Sequence, residues 1–194
     1  MKVSPRIAIL LLCSFFFVVL AFSFASNRHF PVKVVGGENS VGTWLSDVLL
    51  IFMAASCLFI SMKRRWYPWL FFAAFFMLLA LDERFMFHEQ MKQRILLSFS
   101  TIRLSRWIYE LPVIIGAVVG FVLSLELWRH LDSKGRRLLP CVVVLGATSV
   151  VIDVMGAGVL WEECCKLMAE LLMACILLLT IGSVESSPKE KIER

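Results

Sequence analysis

The sequence predicts an all-α, polytopic transmembrane helical bundle of about six spans, and three observations predict it. Hydrophobic residues make up 59% of the 194 and charged residues only 18%, with a mean hydropathy of +0.81, whereas a soluble domain is nearer half apolar and a quarter charged. The apolar residues are gathered into blocks, several approaching or exceeding the roughly 20 residues that cross about 30 Å of hydrocarbon. Those blocks are continuous rather than alternating with period two. They therefore suit helices, which satisfy their backbone groups internally, and not the strands of a barrel.

The first span, 7–24, follows Lys2 and Arg6. Ser23-Phe24-Ala25 resembles a signal cleavage site, but the apolar run outlasts the roughly 7–15 residues of a signal core, which favours a retained anchor; cleavage would leave five spans. An outer loop with Pro31, Gly36, Gly37 and Gly42 leads to the second span, 44–62, which stops at Lys63-Arg64-Arg65. That triplet is the strongest orientation signal in the chain and belongs in the cytoplasm. The third span, 66–81, opens with Trp66, Tyr67 and Trp69, rings suited to the inner interface, and ends at Asp82-Glu83.

The stretch around 84–106 mixes Arg84, His88, Glu89, Lys92, Arg94, Arg103 and Arg106 with apolar residues and predicts a helical extension plus an interfacial helix on the outer face. The fourth span, 107–128, carries Pro112, and its Gly116 and Gly120 form the small-xxx-small spacing that lets helices approach closely. Arg129, Lys134, Arg136 and Arg137 then make a cytoplasmic loop, followed by spans at 138–154 and 159–181. A polar tail, 184–194, ends in the cytoplasm with Lys189, Lys191 and Arg194. Lys and Arg then divide 12 inside to 8 outside, five of the eight lying within 82–106. No repeat or second domain is visible, so 1–194 reads as one transmembrane domain.

The net charge of +5 records orientation and contact with membrane lipid rather than nucleic acid. Cys13, Cys57, Cys141 and Cys175 sit in apolar runs as small hydrophobes, and the adjacent Cys164 and Cys165 are poorly placed to bridge each other. His29, His88 and His130 map to an outer loop, an outer helix end and an inner loop, so no two clamp a haem between spans. No phosphate loop or Gly-x-Ser-x-Gly elbow supports nucleotide use or serine hydrolysis. A soft copper site from Met86, Met91, Met155 and Met168 with Cys164, Cys165 and His88 is weighed against ordinary packing of methionine, which the pattern favours.

Laid on this topology, the acids gather in one leaflet. Asp82, Glu83, His88, Glu89, Asp153, Glu162 and Glu163 form the candidate polar or metal site, with Asp47, Glu110 and Lys166 as secondary members. Charge inside a bilayer costs a few kcal/mol and demands a partner or water. On the helical extension of the third span, Asp82 and Glu89 are seven residues apart and therefore on one face, and Lys166 stands at helical spacing from Glu162 and Glu170.

Three readings compete. The carboxylates are ion-paired with Arg84, Arg103, Arg106 and Lys166, holding the bundle together or docking a partner subunit. Alternatively, carboxylate and imidazole bind a divalent metal such as zinc, iron or manganese that activates water against a lipid-like substrate. The third reading is ion or proton movement, although no matching acids continue through the inner half.

The run Leu79-Ala80-Leu81-Asp82-Glu83, followed by His88-Glu89 and later Glu162-Glu163, resembles a group of bacterial multi-pass membrane proteins with an LDE…HE…EE pattern over the last two thirds of the chain. The resemblance implies placement in a bacterial inner membrane, with both termini cytoplasmic on the topology above, and marks the same residues without naming a reaction. The alkaline-ceramidase-like membrane hydrolases hold zinc with several histidines, which this chain lacks.

Overall fold

The computed structural model describes residues 4–26, 40–98, 110–156 and 158–186, together with 34 and 108. Among them the fold is all-α: α1 (Pro5–Ser26), α2 (Val41–Arg64), α3 (Pro68–Phe85), α4 (Phe87–Ser98), α5 (Leu111–His130), α6 (Ser133–Met155) and α7 (Val159–Ser186). Five of these, namely α1, α2, α5, α6 and α7 over Val159–Val184, are long and apolar enough to cross a membrane. Asp82, Glu83 and Arg84 inside its 18 residues keep α3 out of that group.

Local chemistry sets the helix ends. Ser40 caps α2, its hydroxyl accepting the Thr43 N–H at 3.0 Å, and Asp132 caps α6 by accepting the Gly135 N–H at 2.9 Å; each satisfies a donor that a helix start leaves open. Pro68 and Pro112 occupy first turns, where the missing N–H is no loss. Three helices stop at left-handed residues, Arg65 (φ 50°), Met86 (φ 52°) and Gly156 (φ 63°), of which only the glycine avoids a Cβ penalty.

Helices α2 and α7 form the centre, with 56% and 50% of their spans buried against 11%, 6% and 17% for α1, α5 and α6. Leu49, Met53, Cys57 and Ile60 make a stripe down α2 at spacings of three and four, the spacing of a single helix face. The stripe belongs to one apolar core with Trp69, Phe72, Ala73 and Phe76 of α3, Ala174, Ile176 and Leu177 of α7, and Phe16 of α1. α5 lies at the periphery, with Ile115, Val118, Phe121 and Val122 exposed.

Several expectations shift. The break at Met86 replaces the helical extension by two helices, so the interfacial element begins at Phe87; its expected end at 106 lies outside the described residues, as do Arg103, Arg106 and His29. The basic loop at 129–137 is almost wholly helical, only Leu131 and Asp132 standing between α5 and α6. Trp69 is fully buried rather than interfacial, its ring packed edge-on against Trp66 and Phe72. The glycine pair of α5 does not seat a helix backbone among the described residues: nothing lies within 4 Å of where a Gly116 Cβ would stand, and Gly120 is met by the Phe75 ring of α3. Helix α7 runs on to Ser186, so 184–186 of the expected tail are helical and 187–194 lie outside the described residues.

The close helix approach is elsewhere. The Pro5 ring sits against Gly182 of α7, where a Cβ would stand, and the Cys13 and Cys175 thiols are 3.9 Å apart on the same pair of helices. Replacing Gly182 by leucine is expected to push α1 off α7. In membranes treated with copper phenanthroline, Cys13 and Cys175 should cross-link readily in the wild type and several-fold more slowly in Gly182→Leu; equal rates would refute the contact.

Candidate functional site

The site is assembled at the end of the bundle where α3 stops, α5 starts, α6 stops and α7 starts. It is built as two lysine-centred groups rather than one pocket. In the first, the Lys166 ammonium on the second turn of α7 lies 2.9 Å from Glu83 of α3 and 2.7 Å from Glu163 of its own helix, both within the range of strong charge-assisted bonds. One turn deeper, Glu170 accepts a 2.8 Å hydrogen bond from the Ser46 hydroxyl of α2. Its other oxygen is buried without a hydrogen-bond partner among the described residues, as is Oδ1 of neighbouring Asp47. Asp47 is subject to the charges of Glu83, Arg84 and Lys166.

The second group is centred on Lys92 of α4, whose ammonium lies 2.7 Å from Glu110, 3.2 Å from Glu89 and 3.5 Å from Asp153. One cation therefore joins α4 to the residue preceding α5 and to the end of α6. Burial alone would lower the Lys92 pKa, but Glu110, Asp153 and Glu89 outweigh it and hold the ammonium above the ordinary lysine range. Glu162, half-buried, is subject to the charges of Asp153, Glu163, Lys166 and Lys92 between the two groups.

Asp82 holds the turn that makes the second group possible. After the left-handed Met86, its Oδ1 accepts the His88 N–H at 2.9 Å and its Oδ2 meets the His88 ring Nδ1 at 2.8 Å. The carboxylate closing α3 thus also caps α4. The other ring nitrogen of His88 lies 3.5 Å from Glu89, which connects this cap to Lys92. The hydrogen bond to Asp82 raises the His88 pKa above the ordinary histidine value, burial opposing it less strongly.

Every residue singled out in the sequence falls at this end, but the partners differ from expectation. Asp82 and Glu89 do not share one helical face, because the helix breaks between them. Lys166 pairs with Glu163 and Glu83, while Glu162, its expected partner at four residues, makes no ion pair with it. Lys92, Glu170 and Ser46 were absent from the candidate set. Lys92 was signalled by its place three residues after Glu89 and Glu170 by its place four after Lys166; Ser46 carried no signal. Among the described residues no three His, Cys, Asp or Glu side chains are disposed to hold a metal ion together. The arrangement tethers helices by charge and, among the described residues, leaves carboxylate in excess.

An all-helical bundle with apolar spans and an acidic helix-end cluster defines the class. The chain belongs to the family described as Domain of unknown function (DUF8692), whose model matches residues 5–181. No curated protein and no solved structure matches it.

Replacing Lys166 by methionine strands two half-buried carboxylates and is expected to cost about 3 kcal/mol. Adding Glu83→Gln and Glu163→Gln should recover part of that loss, read as thermal unfolding in detergent. A single variant as stable as the wild type would show the pair to be incidental.

The His88 cap has a defined pH dependence. Its folded pKa lies above the ordinary 6.5, so its contribution is complete below that value and is lost as pH rises through the raised folded one. The stability difference between wild type and His88→Leu should be widest below pH 6 and narrow as pH rises through the raised folded value; a difference independent of pH would contradict the ion pair.

Proposed function

We propose that this is an integral membrane protein of six spans, with α3 as the third and α4 on the outer interface, both termini being cytoplasmic in a bacterial inner membrane. The placement follows from the Lys63-Arg64-Arg65 stop and from the resemblance to the LDE…HE…EE membrane proteins. It acts as an accessory subunit whose outward-facing carboxylate and histidine site docks a basic segment of a partner membrane protein.

One observation carries this reading. Among the described residues at the acidic end, nine carboxylates (Asp47, Asp82, Glu83, Glu89, Glu110, Asp153, Glu162, Glu163 and Glu170) stand against Arg84, Lys92, Arg94, Lys166 and His88. Lys92 and Lys166 hold the helices together, and the carboxylates still outnumber the cations among these residues. Asp82, Glu89 and Asp153 remain accessible while paired with His88 or Lys92, with side chains 31%, 40% and 27% exposed. A rim of one sign at the mouth of a bundle attracts and orients a partner of the opposite sign more than it adds raw affinity.

The test uses the purified full chain with a labelled Lys/Arg-rich peptide and a neutral peptide of equal length. The basic peptide should bind selectively, with affinity roughly tenfold lower in Glu89→Gln/Asp153→Asn/Glu162→Gln and falling with salt. Equal binding of the neutral peptide would remove the docking reading. Elemental mass spectrometry runs alongside: near-stoichiometric metal in the wild type, lost in both His88→Ala and Glu163→Gln, would replace docking by a metal centre.

A further inference from the structure

The opposite end of the bundle has the reverse charge, and the fold brings it together from two distant segments. The end of α2 carries Lys63, Arg64 and Arg65, all exposed. The α5–α6 junction carries Arg129, Lys134, Arg136 and Arg137, also exposed. Arg64 donates to the His130 carbonyl at 3.4 Å, and the Trp66 and His130 rings lie 3.8 Å apart between centroids. The two segments therefore form one continuous surface.

The described acids of these two segments are already engaged. Glu126 takes Arg129 at 2.9 Å and His130 at 3.0 Å, and Asp132 is spent on the α6 cap. Arg136 is turned inward in part, donating at 2.9 Å to the Leu131 carbonyl and at 3.1 Å to that of Arg129, where it closes the end of α5. The side chains of Lys63, Arg65, Lys134 and Arg137 make no ion pair or hydrogen bond among the described residues. Arg65 keeps a cationic side chain at a left-handed position, φ 50°, that glycine fills at lower cost. Tyr67 and Trp128, 77% and 41% exposed, flank the surface, as amphipathic rings do at headgroup level.

We propose that this surface binds the phosphate headgroups of anionic phospholipids in the cytoplasmic leaflet. Seven cations against two engaged carboxylates match a negatively charged leaflet in sign, and the helix ends place them at the depth of the phosphates. The Arg64–His130 and Trp66–His130 contacts fix the spacing of the two cationic groups, so one headgroup meets charge from both α2 and the α5–α6 junction. The inference rests on the membrane-spanning reading above.

The test first asks whether the chain stays in membranes through carbonate extraction; release would defeat the spanning reading itself. With the chain retained, the purified full-length protein is titrated with phosphatidylglycerol, phosphatidylcholine and inorganic phosphate by native mass spectrometry. Phosphatidylglycerol should bind roughly tenfold more tightly than phosphatidylcholine. That preference should disappear in Lys63→Gln/Lys134→Gln/Arg137→Gln, whose cations make no ion pair or hydrogen bond among the described residues, Lys63 lying only over the Phe59 ring of its own helix, and persist in Lys134→Arg. Circular dichroism and thermal unfolding establish that the triple variant is folded, and Lys134→Gln alone supplies a milder version of the same comparison. Equal affinity for the two lipids, a preference unchanged in the folded triple variant, or inorganic phosphate displacing phosphatidylglycerol at millimolar concentration would each overturn lipid docking.

Discussion

Neutralising carboxylates at an apolar helix end is the constraint on which the acidic half of this molecule depends. A charge withdrawn from water there loses solvation that only an opposite charge or a hydrogen-bond donor replaces. Lys166 and Lys92 supply the charge, and each contacts acids from more than one element. The position of α3 against α7 and the return of α4 toward α5 and α6 are therefore coupled to proton and charge balance. Such pairs need add little net stability over an apolar core of equal volume.

The apolar middle obeys a different rule. Between helices immersed in lipid, burying a leucine side chain gains little from the hydrophobic effect, and association depends on packing, small residues and a few polar contacts. That explains why the well-buried α2 carries Ser46, Ser56 and Ser61 among its core positions, and why a glycine, Gly182 of α7, receives the Pro5 ring of α1. The apolar flank of α5, with Ile115, Val118, Phe121 and Val122 exposed, is suited to contact with lipid. The two ends then carry opposite charge, one rim acidic and one basic, and the segments between them contribute few charges to either.

The all-helical class and the approximate place of each helix were legible in the sequence, because block length and continuity of apolar residues are local properties. The candidate residues were legible as a level for the same reason: Asp82, Asp153 and Glu162 each lie at the end of an apolar run, and strictly alternating crossings return those ends to one side. Pairing was not legible. Glu83 and Lys166 are 83 residues apart, and Ser46 and Glu170 are 124 apart, so no spacing rule links them. The break at Met86 was hidden as well, since nothing in Glu83-Arg84-Phe85-Met86-Phe87 marks a helix stop.

By itself, then, the sequence determined a helical protein of apolar spans with acids gathered at one end and bases at the other, because both follow from the order of residues along each run. Tertiary structure alone decided that Lys92 and Lys166 become the hubs, that Gly182 rather than Gly116 receives a neighbouring helix, and that Arg64 reaches His130. Those outcomes depend on the rotation and depth of each helix relative to its neighbours. Rotation and depth are set by the sum of many weak side-chain contacts, which no single stretch of sequence contains.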